Sequence, residues 1–180
     1  MSPAPALVGG QFPPGRWHVS IQEAQAAYCS IPDAQLRDDL WQEWTTLTGA
    51  VRGAVGHVAS AWLGGSFFTD KPLPDDIDCV YIIDRDHLKT ARADPAKAAF
   101  LQAIAGDGAK TLFHLRVDCF ILEWWPRPGV NRGSADRRGS YLENRGYWDD
   151  LWPRTRDRTN LRMDAIPRRG YLEVMLDGYK

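Results

Sequence analysis

The sequence is poor in several features that would point to a simple function. Three cysteines in 180 residues, Cys29, Cys79 and Cys119, are too few and too scattered for a disulfide scaffold, and none forms a C-x-x-C pair. That usage predicts a reducing, cytoplasmic setting. The four histidines, His18, His57, His87 and His114, lack zinc-ligand spacing. Two of them, His57 and His114, fall in strand-like stretches where a hydrogen-bonded core histidine is expected. No apolar run approaches the roughly eighteen residues of a membrane span. Residues Met1 to Gly15 hold proline and glycine but no basic stretch leading into an apolar one, so neither a membrane protein nor an export substrate is expected.

Net charge is also nearly absent, at -1, but the average conceals segregation. From Arg127 to Arg169 there are 11 arginines, no lysine and 6 acidic residues, a net of +5, and the rest of the chain carries -6. An all-arginine segment favours planar, bidentate contact with phosphates or carboxylates. The bland alternative is that these arginines pair with the interspersed acids or face water. Trp124, Trp125, Trp148 and Trp152 flank them and could stack on bases, although aromatic and arginine neighbours are also common in ordinary packing.

With 44% apolar residues, the chain is expected to form one α/β or α+β domain, a mixed sheet flanked by helices. Residues 1–15 read as a flexible N-terminal arm, and 16–180 as the domain, with the arginine-rich segment 127–169 inside it. Regular structure is expected from near Ser20. Ser20 with Glu23 forms a capping box for a helix over Ile21 to Cys29, which breaks at Ser30-Ile31-Pro32. Asp33 then caps a longer helix whose Leu36, Leu40, Trp44 and Leu47 recur at three- and four-residue steps. Strands are expected over His57 to Leu63, Asp76 to Ile83, Leu112 to Trp124 and Gly170 to Leu176. Further helices are expected between Pro95 and Ile104 and over Tyr141 to Trp152, with a mobile loop from Asn131 to Ser140.

The informative segment runs from Leu63 to Val80. A strand enters Gly64-Gly65-Ser66, nine residues follow, and the next strand opens with Asp76-Ile77-Asp78. Glycines let backbone N–H groups approach phosphate oxygens, and the serine adds a hydroxyl donor. Alternation along a strand puts Asp76 and Asp78 on one face, where two hard-oxygen ligands can hold divalent metal. Asp118 lies in Val117-Asp118-Cys119-Phe120-Ile121-Leu122, a stretch otherwise made for burial, so it is the candidate third carboxylate. Cys79 and Cys119 then lie on the opposite face as buried thiols.

Gly65-Ser66, the Asp76/Asp78 pair and a later apolar-Asp-apolar strand resemble the nucleotidyltransferase fold shared by DNA polymerase beta and the minimal nucleotidyltransferases of toxin–antitoxin systems. Phe12-Pro13-Pro14-Gly15, Ser66-Phe67, Lys71-Pro72 and Arg169-Gly170-Tyr171 are similar to positions in an uncharacterised nucleotidyltransferase-like family of bacteria and their phages. The resemblance implies Mg2+-dependent transfer of a nucleoside monophosphate from a nucleoside triphosphate such as ATP to a hydroxyl on RNA, protein or a small molecule. It implies that Gly64, Gly65, Ser66 and Lys71 hold the nucleotide. Asp76, Asp78 and Asp118 would hold two Mg2+ or Mn2+ ions, with Asp118 on the ion that activates the acceptor. Arg154, Arg156, Arg158, Arg168 and Arg169 become candidate contacts to substrate, tRNA or other RNA. A separate base-recognition domain is not evident, so base choice is expected to be loose or set by a partner.

Two other classes compete. One is a catalytically silent binding module, an antitoxin or phage-defence component that holds nucleic acid or a toxin or antitoxin protein on its arginine-rich surface. The other is a two-metal nuclease, which would leave the Gly-Ser loop without a role.

Overall fold

The computed structural model describes residues 4–29, 34–126, 137–154 and 169–179. Within them the elements run β1 (Arg16–Ser20), α1 (Ile21–Tyr28), α2 (Ala34–Val55), β2 (Ser60–Gly64), β3 (Ile77–Asp84), α3 (Arg85–Ala93), α4 (Pro95–Ala103), α5 (Gly108–Phe113), β4 (Val117–Trp124), α6 (Arg137–Leu151) and β5 (Tyr171–Met175). The strands form one sheet in the order β1-β5-β2-β3-β4. The β1–β5 and β3–β4 pairs are parallel, and the β5–β2 and β2–β3 pairs are antiparallel. The expected α+β architecture with a mixed sheet is therefore present.

Local chemistry explains several helix starts. The capping box at α1 forms as the sequence predicts: Glu23 N donates to Ser20 Oγ at 3.2 Å, and Ser20 N donates to Glu23 Oε2 at 2.7 Å. Asp84 caps α3 and Asp94 caps α4, which has Pro95 in its first turn. Asp33, expected to cap the long helix, and the break at residues 30–32 lie outside the described residues. The α2 stripe of Leu40, Trp44, Leu47 and Val51, with Trp41 beside it, is fully buried. At about 1.5–3 kcal/mol for each large apolar side chain, that stripe is a leading stabilising contribution. Trp44 Nε1 donates to Cys79 Sγ at 3.4 Å, and Thr48 and Tyr81 share a buried hydroxyl contact at 2.8 Å, so α2 is keyed to β3 by polar as well as apolar contacts.

The sheet has two unlike faces. On one, Ala61, Leu63, Cys79, Tyr81, Ile83, Val117, Cys119, Leu172 and Val174 join the α2 stripe in the main core. On the other, Trp62, Val80, Ile82, Leu122 and Tyr171 form a smaller aromatic cluster with Trp125, Tyr141 and Trp152. The four tryptophans considered as base-stacking platforms belong here. Trp148 packs on Phe120 at 4.7 Å, Trp152 on Tyr171 at 5.8 Å and Trp124 on Tyr179 at 5.1 Å, while Arg85 covers Trp125 at 4.1 Å. They are packing residues of the second face.

Several expectations are corrected. Residues 4–15, expected to belong to a flexible arm, are packed on the domain. Phe12 is buried against Tyr28 and Phe68, Gly170 N donates to the Phe12 carbonyl at 3.2 Å, and Tyr28 Oη donates to the Pro5 carbonyl at 2.7 Å. Strand β1 also escapes the sequence pattern, because the strand it pairs with, β5, lies at the far end of the chain. The strand expected from Leu112 starts at Val117. The residues before it form α5, whose last turn closes on His114 in a left-handed conformation (φ 56), so His114 is an exposed cap and no core histidine. Helix α6 begins at Arg137, inside the segment expected as a mobile loop.

Candidate functional site

Strands β3 and β4 pair so that Asp78 stands opposite Asp118 and Cys79 opposite Cys119. Alternation then separates the two kinds of residue. Both thiols are fully buried in the main core, where burial pushes the Cys79 thiol up to about 12 and Cys119 well above its ordinary value. Burial therefore keeps both as neutral thiols of the core. Both carboxylates lie on the other face, and Asp76 precedes β3 by one residue.

Asp78 is pressed against the glycine turn. A Cβ on Gly65 would lie 1.8 Å from Asp78 Oδ2, and Gly65 has φ 82 and ψ -168, a backbone region essentially reserved for glycine. The residue type is therefore required twice, by conformation and by the approach of the carboxylate. Burial, and then the negative charges of Asp76 and Asp118, raise the Asp78 pKa to about 6, with Arg169 and Lys110 pulling the other way. Gly64 is covered by Trp152, since a Cβ there would meet Cε3 at 2.9 Å. Ser66 opens a single 3-10 turn, Ser66–Phe68, at the mouth of this corner.

The loop after that turn is held from inside. Arg37 on α2 is fully buried; it donates to the carbonyls of Phe67, Thr69 (3.1 Å) and Lys71 (2.8 Å), and its guanidinium lies 5.2 Å from the centroid of the Phe67 ring. One planar fork thus fixes the chain between the Gly-Ser turn and Lys71. Lys71 itself, expected at the nucleotide, pairs with Asp75 at 2.6 Å on the surface.

Sequence reasoning missed the cation of the site. Lys110 on α5 pairs with Asp76 and, at 2.8 Å, with Asp118 Oδ1. Burial alone would lower the pKa of this ammonium, but hydrogen bonding and charge attraction from the two carboxylates raise it, so it stays charged. Asp118 Oδ1 is sealed from solvent, and the Lys110 ammonium at 2.8 Å is the charge that faces it. The available sequence signal was weak, a lysine in a short turn after Gly106-Asp107-Gly108, eight positions before Asp118.

Hard oxygen donors on stiff strands, one of them sealed from solvent, fit Mg2+ or Mn2+ in chemistry. They do not fit the expected pair of ions as they stand, because an ammonium lies between Asp76 and Asp118. Among the described residues no group of three or more His, Cys, Asp or Glu side chains closes to a metal-holding arrangement.

Of the candidate arginines, Arg169 acts electrostatically on Asp78 and its Nε donates to the Trp152 carbonyl at 3.1 Å. Arg154 pairs with Asp150, as the bland reading of that segment has it. Arg156, Arg158 and Arg168 lie outside the described residues. Arg116, which strict alternation would group with Asp118, precedes the strand and turns to Glu43 on α2, with Nε 3.0 Å from Oε1.

The site thus draws on β2, β3, β4, α5 and the chain just before β5, segments far apart in the sequence. A family model covers residues 8–175, all of these segments included, and is described only as a family of unknown function, DUF6932. The chain belongs to this DUF6932 family. No curated protein and no solved structure matches it. The matched residues include every described member of the corner, from Gly64 and Asp78 to Lys110, Asp118 and Arg169.

Proposed function

We propose that the protein is a Mg2+-dependent nucleotidyltransferase that moves a nucleoside monophosphate from a nucleoside triphosphate to a hydroxyl of an RNA, protein or small-molecule acceptor. The observation that carries this reading is the side-by-side register of Asp78 and Asp118, with Asp76 beside them and Gly65-Ser66 against Asp78. Gly65 and Ser66 would receive the phosphates, and the three carboxylates would hold the metal. When bound, Mg2+ neutralises phosphate charge and lowers the pKa of the acceptor hydroxyl. The chain's own share is positioning. The paired strands fix the carboxylates, Arg37 fixes the loop, and Lys110 and Arg169 bring positive charge to where a polyphosphate would lie.

Incubation with labelled nucleoside triphosphates, Mg2+ and candidate acceptors, tRNA among them, tests this reading. Asp76→Ala and Asp118→Asn are each expected to lower transfer by about 100-fold or more. Transfer left intact by both would overturn it.

A second reading, a catalytically silent binding module in an antitoxin or phage-defence setting, is favoured by one observation: Lys110 already pairs with two of the three carboxylates. Titration with tRNA at two salt concentrations separates the two readings, since binding without turnover, steeply weakened by salt, supports the second. A cytoplasmic location belongs to either reading. Among the described residues no helix is long and apolar enough to cross a membrane.

A further inference from the structure

Lys110 differs from a surface lysine that happens to reach an acid. The turn before it is bound to β4 itself: Gly106 N donates to the Cys119 carbonyl at 2.7 Å, and Cys119 N donates to the Gly106 carbonyl at 2.9 Å. Gly108 lies so close to the Ala103 carbonyl that a Cβ would sit 1.9 Å from its oxygen, and Ala109 is fully buried. Leu115 N closes the turn on the Ala109 carbonyl at 3.0 Å. The backbone that carries Lys110 is therefore clamped to the residue that follows Asp118. The side chain has only to extend to place its ammonium against both Asp76 and Asp118, where it is less than one-third exposed.

A lysine ammonium is a compact point charge with no acceptor. Placed between two carboxylates it does electrostatically what a metal ion does there, with one charge in place of two, and it stays in place through the backbone. We propose that Lys110 is a tethered cation filling one of the two positions that a pair of divalent ions would take among Asp76, Asp78 and Asp118, so that the site accepts a single divalent ion. The proposal rests on reading these carboxylates as a cation site, and it goes beyond that reading by fixing how many ions enter and which residue sets the number.

The test is Mn2+ binding to the full chain, read from the electron paramagnetic resonance signal of free Mn2+, together with thermal unfolding with and without the ion. Wild-type protein is expected to bind one Mn2+ ion. Lys110→Ala is expected to bind a second, at least about tenfold more tightly than any second binding in wild type, because a fixed positive charge a few ångströms from the ion has been removed. It should also unfold at a lower temperature without metal and recover when Mn2+ is added. Lys110→Gln keeps the length and polarity without the charge, and it should behave the same way even if the alanine variant folds poorly.

Equal ion number and affinity in wild type and the glutamine variant, including no binding by either, would overturn the proposal. Turnover decides the functional reading separately. Transfer by wild type with two ions bound would defeat the tethered cation and keep the nucleotidyltransferase. One ion in wild type and two in the variants, without transfer to any acceptor, would do the reverse.

Discussion

Replacing Asp78 by asparagine removes a charge that the fold holds at a cost. In the unfolded chain this carboxyl is ionised above about pH 4. In the folded chain burial, Asp76 and Asp118 keep it protonated up to about 6. Between these values folding takes up a proton, so the stability contributed by this group falls as pH rises through the window and is level above it. At about 1.4 kcal/mol for each pH unit, a rise from 3.8 to about 6 corresponds to about 3 kcal/mol. Asp78 is only half-buried, and allowing for solvent screening leaves about 2 kcal/mol. Urea unfolding of wild type and Asp78→Asn from pH 4 to pH 8, in the presence of a chelator, reads this directly. The two proteins should be about equally stable near pH 4, and the variant about 2 kcal/mol more stable at pH 7.5, which moves the midpoint by about 1 M urea. Titrating groups away from this corner, such as Asp177 with its lowered pKa, are common to both proteins and cancel in the difference. A difference that does not change with pH, or an asparagine variant less stable at pH 7.5, would refute the account of Asp78 as an uncompensated charge.

Three further outcomes follow from the same geometry. Gly65→Ala must adopt a conformation that side chains avoid and must push Asp78 aside, so unfolding measured in denaturant should show a loss of about 1–3 kcal/mol and a weaker dependence of stability on Asp78. Arg37→Met leaves the Phe67, Thr69 and Lys71 carbonyls without their donor. Thermal unfolding should register a loss of about 3 kcal/mol or more, and proteolysis should open the chain between residues 66 and 71 first. Tyr81→Phe keeps the packing and deletes the hydroxyl's contacts with Thr48 and Cys79, so its cost in the same assay should be about 1 kcal/mol.

What the sequence discloses depends on how local the cause is. The α1 cap, the α2 stripe and the Gly-Gly-Ser corner are each written in a few consecutive residues, and each appears where the pattern puts it. The shared face of Asp78 and Asp118 is legible for a related reason: alternation along each strand is a local rule, and it also buries Cys79 and Cys119 on the far side. Strand β1 is different, because nothing near Arg16 reveals that Tyr171 to Met175 will lie beside it. Strand β5 likewise occupies an interior position of the sheet, between β1 and β2, although it comes last in the chain. Its Glu173 is buried there only because Arg16, His18, Ser60 and Tyr179 converge on it from three other segments. Lys110 belongs to the same class. Its spacing from Asp118 is visible, but its reach to Asp76 depends on how α5 folds back on β4.

Direct opposition of two like charges on neighbouring strands is unfavourable, and the next pair in the same ladder shows an inexpensive alternative. Cys79 and Cys119 pack without charge, and apolar side chains at 78 and 118 would do the same on the second face, beside Trp62, Val80 and Leu122. The chain instead keeps both acids and commits two further positions to accommodate them. Gly65 gives up a side chain and the ordinary backbone regions so that Asp78 has room, and Lys110 places a charge between Asp118 and Asp76. Replacing buried ionic groups by apolar ones is often neutral or stabilising, so stability alone does not account for the arrangement. Two cohesive demands, space at Gly65 and charge at Lys110, meet at one group of carboxylates that the core does not need, and that convergence is the strongest physical argument that this corner binds something.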